Sequence, residues 1–77
     1  MSLENSQLCI AVRTRALLRR YRITQKTLAI ECGMKPQALS NKLRGSKRFT
    51  LQDVARIADC FEVTTDYLLG RDSEEAE

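Results

Sequence analysis

Residues 25–44 read QKTLAIECGMKPQALSNKLR, and their apolar spacing restricts the fold more than any other stretch of the chain. Leu28, Ala29 and Cys32 recur at helical spacing. Gly33 and Met34 follow, and then Leu39 and Leu43 lie one turn apart. The spacing predicts two short amphipathic helices joined by a glycine turn. Ala29 has to be small where the second helix crosses the first. Gly33 supplies a positive φ that a residue with a Cβ tolerates poorly. With Leu39 and Leu43 turned toward the first helix, Gln37, Ala38, Asn41 and Lys42 are left facing out.

Two helices around a tight Gly-containing turn make a helix-turn-helix unit, whose second helix is shaped to enter a DNA major groove. The remainder of the chain is consistent with it. Seventy-seven residues suffice for one small domain. A core of that size is marginal, and pairing with a second copy is a common remedy. No apolar run is long enough to span a membrane and no secretory segment is visible, so a cytoplasmic location is expected. Residues 1–50 hold 11 Lys/Arg against Glu4 and Glu31, a net +9; residues 51–77 hold eight acids against Arg56 and Arg71, a net −6. Such a split points to one basic face and one acidic end, and a basic face attracts polyanions, DNA phosphates first among them.

Cys9, Cys32 and Cys60 are odd in number and widely spaced, and the chain has no histidine. That pattern excludes a Cys/His zinc site, so Cys32 and Cys60 are expected to act as small buried apolar residues. No metal and no cofactor are expected. The absence of histidine, of a phosphate-binding glycine loop and of a nucleophile–base pairing argues against an enzyme.

The rest of the pattern predicts an all-α domain of five helices over 5–70, with 71–77 as an acidic, frayed tail. Asn5 or Ser6 caps a first helix ending near Arg20. Its inner stripe is Ile10, Thr14, Leu17, Leu18 and Tyr21, with Arg13, Arg15, Arg19 and Arg20 on the other side. Thr24 caps the second helix. Pro36 opens the third after an uncapped Lys35, and Gly45 stops it. Thr50 and Asp53 make a capping box for the fourth, with Leu51, Val54, Ile57, Ala58 and Phe61 inward. Thr64 caps a fifth helix, Thr65 to Leu69, closed by Gly70.

Several stretches carry a resemblance: Ile23-Thr24-Gln25 before Leu28-Ala29, then Gly33-Met34, Leu39 to Gly45, Phe49-Thr50-Leu51 with Ile57-Ala58, and Val63 to Gly70. In this order, over about Ile10 to Gly70, the chain resembles the lambda-repressor-like family of helix-turn-helix DNA-binding domains, also called the xenobiotic-response-element family. The resemblance implies a compact five-helix domain that binds operator DNA, commonly as a two-fold dimer, and reads the major groove with its third helix. Relatives often carry an ion pair where this chain has Leu18 and Leu43. An apolar pair avoids desolvating two charges, so these leucines are expected to touch. Lys35 stands where relatives usually carry a Ser or Thr cap.

Base-edge contacts are expected from Gln37, Ala38, Asn41, Lys42 and Lys35. The amides match adenine, the Ala38 methyl can meet a thymine methyl, and the lysines reach guanine or phosphate. Phosphate contacts are expected from Gln25, at the start of the second helix, and from Arg44, Ser46, Lys47 and Arg48. Tyr67, Leu68 and Leu69, with Phe61 and Val63, offer more apolar surface than so small a core requires; they either close the core among themselves or leave some surface for a homodimer to cover. The expected partner is a double-stranded DNA operator, with no membrane and no small-molecule ligand evident. The predicted function is a sequence-specific transcription regulator, and the resemblance implies that it acts as a repressor. The competing reading is a protein-interaction module of the same fold, antitoxin-like or coactivator-like, against which the cations of residues 44–48 argue.

Overall fold

The computed structural model describes the backbone of residues 3–71 and the side chains of residues 6–71. The chain order is α1 (Leu3–Tyr21), α2 (Gln25–Glu31), α3 (Pro36–Arg44), α4 (Leu51–Phe61) and α5 (Thr65–Leu69). Among the described residues no strand forms. The N-terminal signals act as anticipated. The hydroxyls of Thr24, Thr50 and Thr64 accept the N–H groups of Thr27, Asp53 and Tyr67, and Asp53 returns the bond to Thr50 to complete a capping box. Lys35 precedes α3 without a side-chain cap bond, and Pro36 opens that helix.

The helix C-termini share one device. After each helix, one N–H reaches back five residues and the preceding N–H reaches back three: Ile23 and Arg22, Met34 and Gly33, Ser46 and Gly45, Val63 and Glu62, Arg71 and Gly70. This paired return satisfies carbonyls the helix leaves open, and it places the residue at its centre in the left-handed region. Gly33 occupies that region at φ 72, as expected. Arg22 and Glu62 hold it at φ 57 without being glycine.

The core gathers Ile10, Leu17 and Leu18 of α1, Leu28, Ala29 and Cys32 of α2 and its cap, Leu39 and Leu43 of α3, Val54, Ile57, Ala58 and Phe61 of α4, and Leu68 of α5. Leu18 and Leu43 share this cluster. α1 packs against α3, α4 and α5, while α2 packs against α3 and α4. Gly70 lies so close to α1 that an added Cβ would stand 2.7 Å from Cys9 Sγ.

Several expectations are corrected. α1 begins at Leu3, because Leu3 and Glu4 are good helix formers and extend it past Asn5 and Ser6, which are interior rather than caps. Tyr21 is half exposed and stacks its ring on Phe61 at 5.9 Å; Ala11 fills the stripe instead. Leu51 is 87% exposed, since the first residue of α4 projects beyond the core, and Asp53 is buried in that first turn. Phe61 and Leu68 are buried, and Val63, Tyr67 and Leu69 pack against the core. The excess apolar surface expected around α5 is thus largely used internally, and among the described residues the large exposed apolar side chains are Leu8, Val12, Tyr21, Ile30 and Leu51. Cys60 is half-buried rather than fully buried. Of the expected tail, Arg71 bonds back to the Asp66 carbonyl, and 72–77 lie outside the described residues. No helix among the described residues is long and apolar enough to cross a membrane.

Candidate nucleic-acid interface

α3 owes its position to its apolar side. Leu39 and Leu43 are buried against α1 and α2, so residues half a turn away must face out. On that outward ridge Gln37 Nε2 donates to Asn41 Oδ1 at 3.1 Å, and one guanidinium nitrogen of Arg44 donates to the same oxygen at 2.6 Å. Arg44 also donates to Ser40 Oγ at 3.0 Å. Gln37 is exposed and Asn41 half-buried, so the two amides form a short ladder one turn long, tied at its end by a cation. Such a ladder reduces the rotamer freedom each amide would lose on meeting a base edge. Ala38 lies beside it, half-buried, and Lys35 is exposed at the start of the helix.

The basic loop continues the ridge. Gly45 turns the chain at φ 91, Ser46 N–H bonds the Asn41 carbonyl at 2.9 Å, and Ser46, Lys47 and Arg48 are all exposed. The loop is held at its far end by Gln7 of α1. Its amide oxygen accepts the Phe49 N–H at 2.7 Å, and its amide nitrogen donates to the Phe49 carbonyl at 3.2 Å. A cleft of about 230 Å³ between α1 and this loop is lined by Leu8, Ala11, Leu43 and the cations Lys42, Arg44, Lys47 and Arg48, among others. Gln25, half-buried at the first position of α2, lines a separate shallow cleft with Arg15 and Arg19. Thus Gln37, Asn41 and Arg44 are joined, Ser46, Lys47 and Arg48 adjoin them, and Gln25 stands at the start of the neighbouring helix.

Lys42, expected to face out, is placed differently from its neighbours on the ridge. Its ammonium turns to the flank of α3 and pairs with the Asp53 carboxylate, which also accepts the Thr50 N–H at 2.8 Å. Burial pushes the Asp53 carboxyl up, but the hydrogen bonds from Lys42 and Thr50, together with the lysine charge, outweigh it and hold the group below its ordinary value. The pairing arises because Asp53 sits in the first turn of α4, where helix geometry favours an anion, directly under the α3 flank.

Arg13 and Arg15, on the side of α1 away from its inner stripe, bond to the carbonyls of other helices. Arg15 donates to the Leu43 carbonyl at 3.2 Å, at the end of α3. Arg13 donates to the Tyr67 carbonyl at 2.8 Å and lies 4.6 Å above the Tyr67 ring. Arg56 does the same for α2, donating to the Cys32 carbonyl at 2.8 Å beside the Gly33 turn. Nothing in local sequence identifies these three as caps, because each spans 24 or more positions. Burial pushes the Cys32 thiol up to about 11, in keeping with an unreactive core residue.

The fold and this surface define a small all-helical helix-turn-helix domain of the DNA-binding class. The family model described as the BetR domain matches residues 5–77, and the chain belongs to that family of small helical DNA-binding domains. No curated protein and no solved structure matches the chain.

Proposed function

We propose that this chain is a sequence-specific regulator of transcription, a repressor of the lambda-repressor type, that reads the major groove of double-stranded DNA with α3. The supporting observation is the coupled ridge of Gln37, Asn41 and Arg44 on the outward side of a helix whose inner side is locked by Leu39 and Leu43. In this reading the amides address adenine edges and Ala38 permits close approach. Lys35 reaches guanine or phosphate, and Gln25, Arg44, Ser46, Lys47 and Arg48 set register on the phosphates. One helix in one groove makes few base contacts, so two copies on half-sites about 34 Å apart complete the operator. The role is binding, not catalysis.

Selection from a random duplex pool tests it. A two-fold symmetric motif is expected. Gln37→Ala should cost about 1–3 kcal/mol at one base pair of each half-site, whereas Lys47→Ala should weaken every sequence alike and flatten the salt slope by about one. A pool that shows no enrichment, or a Lys47→Ala variant that changes only base preference, would overturn the assignment.

A further inference from the structure

Lys42 lies on α3 between Asn41 on the ridge and Leu43 in the core. Its side chain and that of Asp53 keep only 17% and 12% of their exposure. The carboxylate cannot follow the lysine outward, because the Thr50 N–H holds it on the α4 cap. Asp53 N–H in turn donates to Thr50 Oγ1 at 3.0 Å, so the backbone that carries the carboxylate is held by the same capping box. A lysine on that flank without an anion beneath it has a flexible four-carbon stem, and its ammonium can swing to the polyanion that α3 faces. A phosphate-bound lysine adds affinity for every sequence and information about none.

We propose that Asp53 is a positioning residue of the DNA-binding surface: by holding the Lys42 ammonium on the cap of α4, it withholds one sequence-independent phosphate contact. This inference rests on the DNA-binding reading above. The consequence is lower affinity for bulk DNA, where competing sites far outnumber the operator.

Asp53→Asn keeps the side-chain shape and an acceptor for Thr50 while removing the charge. The variant should bind selected and unrelated duplexes more tightly, with a salt slope steeper by about 0.9. Between about 50 and about 200 mM salt it should lose about 3.5-fold more affinity than the parent. Adding Lys42→Met to Asp53→Asn should return both affinity and slope to the parent values, since the withheld contact is then gone and local charge is again neutral. The idea is overturned if Asp53→Asn leaves the slope unchanged. It is also overturned if the double variant falls below the parent by a whole contact, for then Lys42 already touches phosphate.

Amine acetylation of the unsubstituted protein gives a readout independent of variant folding. Lys47 should react readily alone and be protected by DNA, and Lys42 should react slowly in both states. A Lys42 that reacts like an exposed lysine and becomes protected by the duplex refutes the proposal. Failure of the parent to bind any duplex would remove the DNA-binding reading itself. Salt-sensitive binding by the parent with no separation among the variants would remove only the role of Asp53.

Discussion

Thr14 has the right spacing for the inner stripe of α1 and is fully buried, but its hydroxyl finds no hydrogen-bond partner among the described residues. An unpaired buried hydroxyl carries its desolvation penalty without return, and a near-isosteric apolar residue removes it. Thr14→Val should therefore stabilise the domain by about 1 kcal/mol. Thermal melting followed by circular dichroism should rise by about 4–8 °C for a domain of this size. A lower midpoint would mean that the hydroxyl is satisfied in solution. Position alone, read from spacing, placed Thr14 correctly; the fate of its oxygen depends on neighbours from other turns and helices. The same holds for Arg13, Arg15 and Arg56. As residues they are cations, and only the fold directs them to the carbonyl ends of α5, α3 and α2, where the helix dipole and the last open acceptors favour them.

The helices are bounded mostly by local chemistry, which is why their limits were legible. Thr24, Thr50 and Thr64 cap through their own hydroxyls, and Gly33, Gly45 and Gly70 turn where a Cβ would be strained. The ends of α1 and α4 were harder to read, because Arg22 and Glu62 adopt the left-handed conformation without being glycine. The next residue, Ile23 or Val63, packs against the core and holds the turn. The loop from Gly45 to Thr50 depends on an element far away in sequence. Gln7 binds both backbone groups of Phe49 and so ties the basic loop to α1. Gln7→Ala leaves a partly buried N–H and carbonyl unpaired. It should cost about 1–3 kcal/mol and speed hydrogen exchange at the Phe49 amide. It should also weaken DNA binding without altering base preference. Unchanged exchange at Phe49 would show that the clamp does not hold the loop.

For the whole molecule, the charge split means something different from what a sum suggests. The basic half does not all face a ligand: Arg13 and Arg15 are tied to helix ends and Lys42 to Asp53, leaving Lys35, Arg44, Lys47 and Arg48 exposed along α3 and its loop. The acidic half reaches into the same face through Asp53. That carboxyl has its folded value depressed, so its contribution to stability is present above the ordinary carboxylate value and is lost as pH falls through the lower folded one. The parent should accordingly be more stable than Asp53→Asn near neutrality, and the gap should close progressively as pH falls below the ordinary carboxylate range. Denaturant midpoints across that range measure it, and a gap independent of pH would exclude the ionised carboxylate as its source.

The sequence by itself determined five helices, the threonine caps of α2, α4 and α5, the buried leucines of α3 and the outward placement of Gln37 and Asn41. Each follows from periodicity or from a side chain acting on its own backbone, within about one turn of where it stands. Tertiary structure decided which cations remain available, where Tyr21 and Leu51 go, and how the loop after α3 is held. These outcomes depend on carbonyls, carboxylates and apolar surface brought together by chain segments remote in sequence, and spacing along one helix cannot encode what a distant helix presents to it.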